Sequence, residues 1–207
     1  MNGPSARILV FAKAPIAGQA KTRLIPALGA ARAAALHERL VRHTLATVCA
    51  ADYPVELWCS PDTRHSFFSA ARVSWPLSLH NQSGGDLGAR MAQAFDDALT
   101  RAQYVILTGT DCPSMTTRDL QQAVTALADG ADAVLGPARD GGYWLIGLRR
   151  AQPRLFEGMA WGRATVLADT LARLHEMNQH WCLLPERTDI DRPEDLAALP
   201  PQLIATP

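Results

Sequence analysis

Tyr104-Val-Ile-Leu-Thr108 is an apolar run that stops abruptly at Gly109-Thr-Asp111-Cys-Pro113, and Thr116-Thr-Arg-Asp119 then opens a segment carrying Leu120, Val124 and Leu127. A continuous apolar run suits a strand covered on both faces. Thr116-x-x-Asp119 has the pattern of a capping box, and the three apolar residues that follow repeat at helical spacing. A buried strand, a polar loop and a helix therefore follow one another, and the same unit recurs on either side. Upstream, Ile8-Leu-Val-Phe-Ala12 reads as a buried strand, and Leu36, Leu40, Val41, Leu45 and Val48 mark an amphipathic helix within 28–51. Val55-Glu-Leu-Trp-Cys59 reads as the second strand. Ser60-Pro61-Asp62 reads as a helix start with proline in the first turn, and Leu87, Met91, Phe95 and Ala98 define a helix over 86–101.

Downstream, Ala133-Val-Leu135 and Tyr143-Trp-Leu-Ile146 flank Arg139-Asp-Gly-Gly142 as a hairpin, which introduces an antiparallel strand. Val166, Thr170 and Leu174 mark a late helix, Trp181-Cys-Leu-Leu184 a last strand, and Pro193-Glu-Asp-Leu196 a short closing helix. Alternating strands and helices predict an α/β fold with a mostly parallel central sheet and helices on both faces. A length of 207 residues suits one domain, expected over 1–199 with 200–207 as a C-terminal tail.

The chain holds 20 Lys+Arg and 20 Asp+Glu, a formal net charge of zero. That balance argues against a broad basic face for nucleic acid and against a polybasic membrane binder. Residues 1–43 carry +6 and residues 44–207 carry −6, and Lys13 and Lys21 are the only lysines. Cys49, Cys59, Cys112 and Cys182 include no Cys-x-x-Cys pair and are too sparse for a disulfide scaffold, so free thiols are expected. No stretch approaches the length of a membrane span, and the N-terminal apolar run is too short for a signal-peptide core, so a cytoplasmic location is expected.

In an open α/β sheet, ligands bind at the carboxyl ends of the strands, so the polar clusters after each strand are the candidate sites. After the first strand, Lys13, Gly18, Lys21 and Arg23 sit in one loop suited to phosphates, with glycine allowing close backbone approach and the cations neutralising charge. It is neither a Walker A loop nor a Gly-x-Gly-x-x-Gly fingerprint. Asp111 presents a carboxylate suited to a hard divalent cation such as Mg²⁺ or Mn²⁺, and Asp191 could be its second ligand while Asp191-x-x-Glu194 also reads as a capping box. Asp140, Gly141 and Gly142 suit either a tight turn or a small substrate, with Asp140 on a hydroxyl. Gly85, Asp86 and Gly88, in Gln82-Ser-Gly-Gly-Asp-Leu-Gly88, suit a nucleobase-reading loop or a helix N-cap. The six histidines lack metal spacing and read as structural or surface residues.

Phe11-Ala-Lys-Ala-Pro15, Gly18-x-x-Lys21-Thr-Arg-Leu24, Gly85-Asp-Leu-Gly88, Gly109-Thr-Asp-Cys-Pro113, Asp140-Gly-Gly-Tyr143 with Leu145-Ile-Gly-Leu148, and Asp189-Ile-Asp-x-Pro-Glu-Asp-Leu196 together resemble a bacterial family. Its members are glycosyltransferases of the GT-A, nucleotide-diphospho-sugar transferase superfamily, some tied to arsenosugar biosynthesis. The resemblance spans about residues 7 to 199. It implies a Rossmann-like GT-A fold, a nucleotide over the first half of the sheet and a divalent metal at Asp111, with Asp191 as second carboxylate. The same skeleton is similar to phospholactate guanylyltransferases and sugar-activating cytidylyltransferases. The chain departs from the superfamily in having one aspartate where Asp-x-Asp is frequent, and Trp161-Gly-Arg163 where Trp-Ser-Thr is familiar.

Two activities follow as expectations. In glycosyl transfer, the metal at Asp111 and Asp191 neutralises the diphosphate of a nucleotide sugar, while Asp140 binds or deprotonates a small acceptor. In nucleotidyl transfer, Lys13, Lys21 and Arg23 hold an NTP that a sugar phosphate or similar small acid attacks with loss of pyrophosphate. Asp111, Asp140 and Lys21 are the expected catalytic residues in either case, and a catalytically silent nucleotide-binding module is the third reading.

Overall fold

The structure is a computed structural model and describes residues 5–204. The chain runs β1 (Ala6–Lys13), a 3-10 turn (Thr22–Leu24), α1 (Ile25–Leu28), α2 (Ala30–Cys49), β2 (Val55–Ser60), α3 (Ser66–Ser74), β3 (Leu77–Asn81), α4 (Leu87–Leu99) and β4 (Tyr104–Thr108). It continues through α5 (Thr117–Ala128), β5 (Ala133–Pro137), β6 (Tyr143–Leu148), α6 (Val166–Glu176), β7 (Trp181–Leu183) and a 3-10 helix (Pro193–Ala198).

The seven strands form one sheet in the order β3-β2-β1-β4-β6-β5-β7. Every neighbouring pair is parallel except β4 with β6 and β6 with β5. This is the expected α/β architecture, with the hairpin strand β6 inserted against the general direction. Side chains alternate across β1. Ile8, Val10 and Ala12 pack under α2, α3 and α5, whereas Leu9 and Phe11 face α4 and α6. With both faces covered, each fully buried Leu, Ile or Phe contributes on the order of 1.5–3 kcal/mol relative to exposure. A third cluster joins Leu24, Leu36, Leu40, Ile190 and Leu203, which docks the loop after β1, the segment before Pro193 and the 3-10 turn Pro201–Leu203 onto α2.

Local details refine the sequence reading. The Thr116–Asp119 capping box is present, with Thr116 N and Oγ1 each donating to Asp119 Oδ2 at 2.7 Å. The helix expected to start at Ser60 begins at Ser66 instead, capped by His65, whose ring nitrogen accepts from Phe67 N at 3.2 Å. The cap expected from Asp191 and Glu194 is supplied by Asp195, whose Oδ2 accepts from Asp191 N and Arg192 N. Edge strand β3 was not expected; it is only half-covered, so its sequence lacks a buried apolar run. No helix among the described residues is long and apolar enough to cross a membrane.

Candidate active site

β1 is followed in sequence by strands on one side of it and then, from β4, by strands on the other. The crevice between the ends of β1 and β4 is therefore a topological switch point, where α/β sheets bind ligands. A cleft of about 510 Å³ opens there, lined among others by Lys13, Lys21, Arg23, Gln82, Arg90 and Asp111. The fold thus gathers segments from the β1 loop, the α4 entry and the β4 loop into one wall system.

Lys21 is at its base. Its backbone is left-handed at φ 49°, a region unusual for a side-chain-bearing residue. The side chain is 3% exposed, and Nζ donates to Asp111 Oδ1 at 2.7 Å and to the Ile190 carbonyl. Ile190 N in turn donates to Asp111 O at 2.7 Å, so the loop after β4 and the segment before the 3-10 helix Pro193–Ala198 are stitched together around one ammonium group. Desolvation pushes the Asp111 carboxyl up, but the charge and hydrogen bond of Lys21 prevail and hold it below the usual carboxylate value. Arg23 Nη1 pairs with Asp191 Oδ2 at 2.5 Å on the more exposed rim. Lys13 and Arg90 line the same cleft with no carboxylate partner among the described residues.

Asp191 is therefore engaged with arginine, and Asp189, two residues earlier, faces the opposite situation. Its Oδ1 is buried without a hydrogen-bond partner. Burial, together with the negative charges of Asp111 and Asp140, pushes its carboxyl up to about 7. An unpartnered buried carboxylate oxygen near a second carboxylate supplies part of the oxygen donor set a hard divalent cation takes, since the ion relieves both the desolvation and the repulsion. Asp111 and Asp189 fit Mg²⁺ or Mn²⁺ on that chemistry. A different trio, Glu56, His80 and Asp97, brings three ligand atoms within 4.8 Å of one another. There, however, Arg7 and Arg101 already donate to Glu56 Oε1 at 3.1 and 2.9 Å, and Trp58 Nε1 donates to Oε2 at 3.1 Å. Two guanidinium charges make it an ion-pair network, and none of its three members lines the switch-point cleft.

His37, read as structural, hydrogen-bonds the Lys13 carbonyl through Nε2 at 3.0 Å and lines the same cleft. Burial lowers its basicity, which suits a neutral ring beside the two lysines. Gln82 Nε2 donates to Trp58 O at 2.8 Å. That contact commits the amide nitrogen and leaves the amide oxygen without a hydrogen bond among the described residues. Asp86 caps α4, its Oδ1 accepting from Ala89 N at 2.8 Å, so its carboxylate is partly committed. Gly18 and Gly85 are exposed in their loops.

Beyond Gly109, on the α4 and α6 side of the sheet, a second cavity of about 240 Å³ is bounded by Leu87, Met91, Tyr143, Trp161 and Asp140. A bulge builds one wall. Pro137 pairs with Tyr143 while Gly136 pairs with Leu145, leaving Trp144 as the extra residue. The slip re-aims Tyr143, which meets Trp161 edge to face at 6.5 Å between ring centroids. Gly88 is buried and packed so closely that a Cβ there would lie 2.4 Å from Phe156 O and 2.9 Å from Trp161 Nε1. Asp140 Oδ1 accepts from Gly142 N at 2.9 Å, so the turn reading is correct locally and its second oxygen is uncommitted. Gly141 has φ +88° and sits against the Ala164 carbonyl. Trp161 lines this cavity from an irregular loop, where no periodicity in the sequence points to the side chain's direction.

The family described as "Uncharacterized protein conserved in bacteria (DUF2064)" matches residues 41–163. No curated protein matches the chain. Among solved structures, a candidate nucleotide-diphospho-sugar transferase from Desulfovibrio desulfuricans G20 is 31% identical over 92% of this chain and 84% of that one, with a TM-score of 0.83. A cytidylyltransferase from Leptospira borgpetersenii is 13% identical over 94% of this chain and 84% of its own, with a TM-score of 0.61. Glucosyl-3-phosphoglycerate synthase from Mycobacterium tuberculosis, solved with Mn²⁺, UDP and glucosyl-3-phosphoglycerate, is 12% identical over 95% and 75%, with a TM-score of 0.55. These neighbours are transferases, and what the two distant ones share with this chain is the fold. With a sheet and switch point of the nucleotide-diphospho-sugar transferase type and a match across more than half its length, the chain belongs to the DUF2064 family.

Proposed function

We propose that the protein is a metal-dependent glycosyltransferase that takes a sugar from a nucleotide-diphospho-sugar and passes it to a small acceptor. The observation that carries this reading is the Lys21–Asp111 pair at the base of the switch-point cleft, with the unpartnered Asp189 of the adjoining cavity close enough to feel the charge of Asp111. In the proposal Asp111 and Asp189 hold Mg²⁺ or Mn²⁺, with Asp191 at the rim. The bound cation supplies charge neutralisation for the departing diphosphate. Lys13 and Arg90 meet phosphate oxygens directly, and Lys21 keeps Asp111 ionised and aligned. Gln82 offers its amide oxygen to a base edge, and the exposed Gly85 leaves the α4 entry open to the nucleotide, while Gly88 lets the start of α4 pack against Trp161. Asp140, Gly141 and Gly142 face the acceptor. All substrates are small molecules, and the work is set in the cytoplasm.

Nucleotidyl transfer is the second reading, and the number of cations around the β1 loop favours it. Two of these three, Lys21 and Arg23, are already paired with Asp111 and Asp191, which leaves Lys13, joined by Arg90 from α4, and suits a diphosphate better than a triphosphate. The test is product analysis with Mn²⁺ or Mg²⁺. A panel of nucleotide sugars should release nucleoside diphosphate. Pyrophosphate release from NTPs with sugar phosphates would overturn the glycosyl reading in favour of the nucleotidyl one.

A further inference from the structure

At the end of β1 the chain leaves the sheet through a peptide group held from two directions. Ala14 N donates to Ser60 O of β2 at 2.7 Å, and the trans peptide points the Lys13 carbonyl the opposite way, toward β4. β4 offers no ladder partner there, because its pairing with β1 ends at Val10 and Thr108. His37 of α2 meets the carbonyl instead, donating from Nε2 at 3.0 Å. A carbonyl oxygen only accepts, so Nε2 carries the hydrogen and the neutral ring has a bare Nδ1. That Nδ1 is buried without a partner, so the ring makes one hydrogen bond among the described residues and gives it to Lys13. An apolar residue at position 37 would avoid the desolvation of both nitrogens, so filling space does not account for this imidazole. Packing fixes the ring: Leu36 and Leu40 belong to one apolar cluster and Val41 to another, which anchors α2 on both sides of His37.

We propose that His37 is a positioning residue: by holding the Lys13 carbonyl, it fixes the backbone from which the Lys13 side chain reaches the donor's phosphates. The inference rests on the transferase reading, in which Lys13 meets phosphate oxygens, and it adds a residue that does not itself touch the nucleotide. Lys13 lines the phosphate cleft, and with no ion pair to hold its ammonium among the described residues it depends on its backbone for direction. Without His37 the peptide after Lys13 is held by the Ser60 bond alone. It can then rotate about Lys13 ψ and Ala14 φ, and the ammonium spreads over positions that miss the phosphates. His43, further along α2, donates from Nε2 to Pro113 O at 2.9 Å, so the same helix also steadies the loop that carries Asp111.

The test is calorimetric titration of the whole chain with UDP, CDP, ADP and GDP in the presence of Mn²⁺, continued with the diphosphate that binds the wild type most tightly. Lys13→Met should weaken that diphosphate by about ten-fold, and His37→Leu, which fills the space without the N–H, by about five- to ten-fold. His37→Gln carries its amide nitrogen at the place of Nε2 and should return affinity to within about two-fold of the wild type. His37→Asn, whose amide stops short of the carbonyl, should bind as weakly as the leucine variant. A residue that acts through Lys13 has nothing left to position once the ammonium is gone. In the Lys13→Met background, His37→Leu should therefore cost less than about two-fold more. If the leucine variant does not fold, the Gln and Asn variants carry the same comparison in both backgrounds. Losses that multiply fully with Lys13→Met, or Gln and Asn variants that bind alike, would overturn the inference. If no diphosphate binds the wild type, the transferase reading fails and the positioning role with it. If Lys13→Met weakens the diphosphate and the His37 variants do not, the inference alone fails.

Discussion

Lys21 Nζ and Asp111 Oδ1 lie 2.7 Å apart, joining the loop after β1 to the end of β4 at the floor of the switch-point cleft. The lysine is enclosed and the carboxylate half-exposed, so one face of Asp111 is held by protein and the other is available to the cleft. Lys21→Met keeps the side-chain length and removes the charge. A hydrogen bond to a charged group is worth about 1.5–3 kcal/mol. Nucleoside diphosphate affinity in the presence of Mn²⁺ should fall by roughly ten- to a hundred-fold in calorimetry. Unchanged affinity would mean that Lys21 has no part in organising the phosphate site.

Asp189 and Asp191 separate by chemistry although they are two residues apart. Asp189→Asn removes a charge that the protein buries without a partner, so metal-free protein near pH 8 should melt at a higher temperature than the wild type. The same substitution should abolish the thermal stabilisation given by Mn²⁺. Asp191→Asn, which breaks the rim pair with Arg23, should retain most of that stabilisation. The reverse ranking would return the second metal-ligand role to Asp191.

Asp119 links the start of α5 to Arg187, whose Nη2 donates to both carboxylate oxygens at 2.8 and 2.7 Å. Desolvation pushes this carboxyl up, but Arg187 and Thr116 more than offset it, and the value lies below that of an ordinary aspartate. A depressed folded-state value means that the contribution is complete above the unfolded value near 4 and is lost as pH falls through the depressed one. Asp119→Asn should cost about 2 kcal/mol at pH 7 in urea unfolding. The gap from the wild type should close as pH drops below 4, and a gap independent of pH would show that the carboxylate charge is not its source.

Two glycines pack closely against the segment 156–164. Gly88→Ala puts a methyl group 2.4 Å from Phe156 O, and Gly141→Ala puts one 2.0 Å from Ala164 O at a positive φ. Neither neighbour is a flexible side-chain end that can swing aside. Each variant should lose about 1–3 kcal/mol of stability. Gly88→Ala should also shift the tryptophan emission, because the new methyl group meets the Trp161 indole; an unaltered spectrum and melting curve would show that α4 can move away freely.

Much of the fold was legible because its signals are local. The runs at Ile8 and Tyr104 are apolar throughout because both faces of the sheet are covered, and the Thr116–Asp119 cap operates within one turn. β3 escaped notice because an edge strand needs no buried run, and the false start at Ser60 shows that proline after serine permits a helix without requiring one. The loop containing Lys13, Lys21 and Arg23 also stood out, because cations with a glycine after a strand form a compact chemical pattern.

What the amino-acid order determined by itself was the alternation of strands and helices, the polar clusters at the strand ends and therefore the edge of the sheet on which a ligand would bind. Only the tertiary structure decided which carboxylates have partners. Lys21 meets Asp111, Arg23 meets Asp191, and Asp189 Oδ1 meets none. The physical reason is that an irregular segment such as 189–191 has no periodicity to say which side chain turns inward. That choice depends on the Ile190–Asp111 backbone bond and on the burial of Ile190 against α2, contacts made across the whole length of the chain.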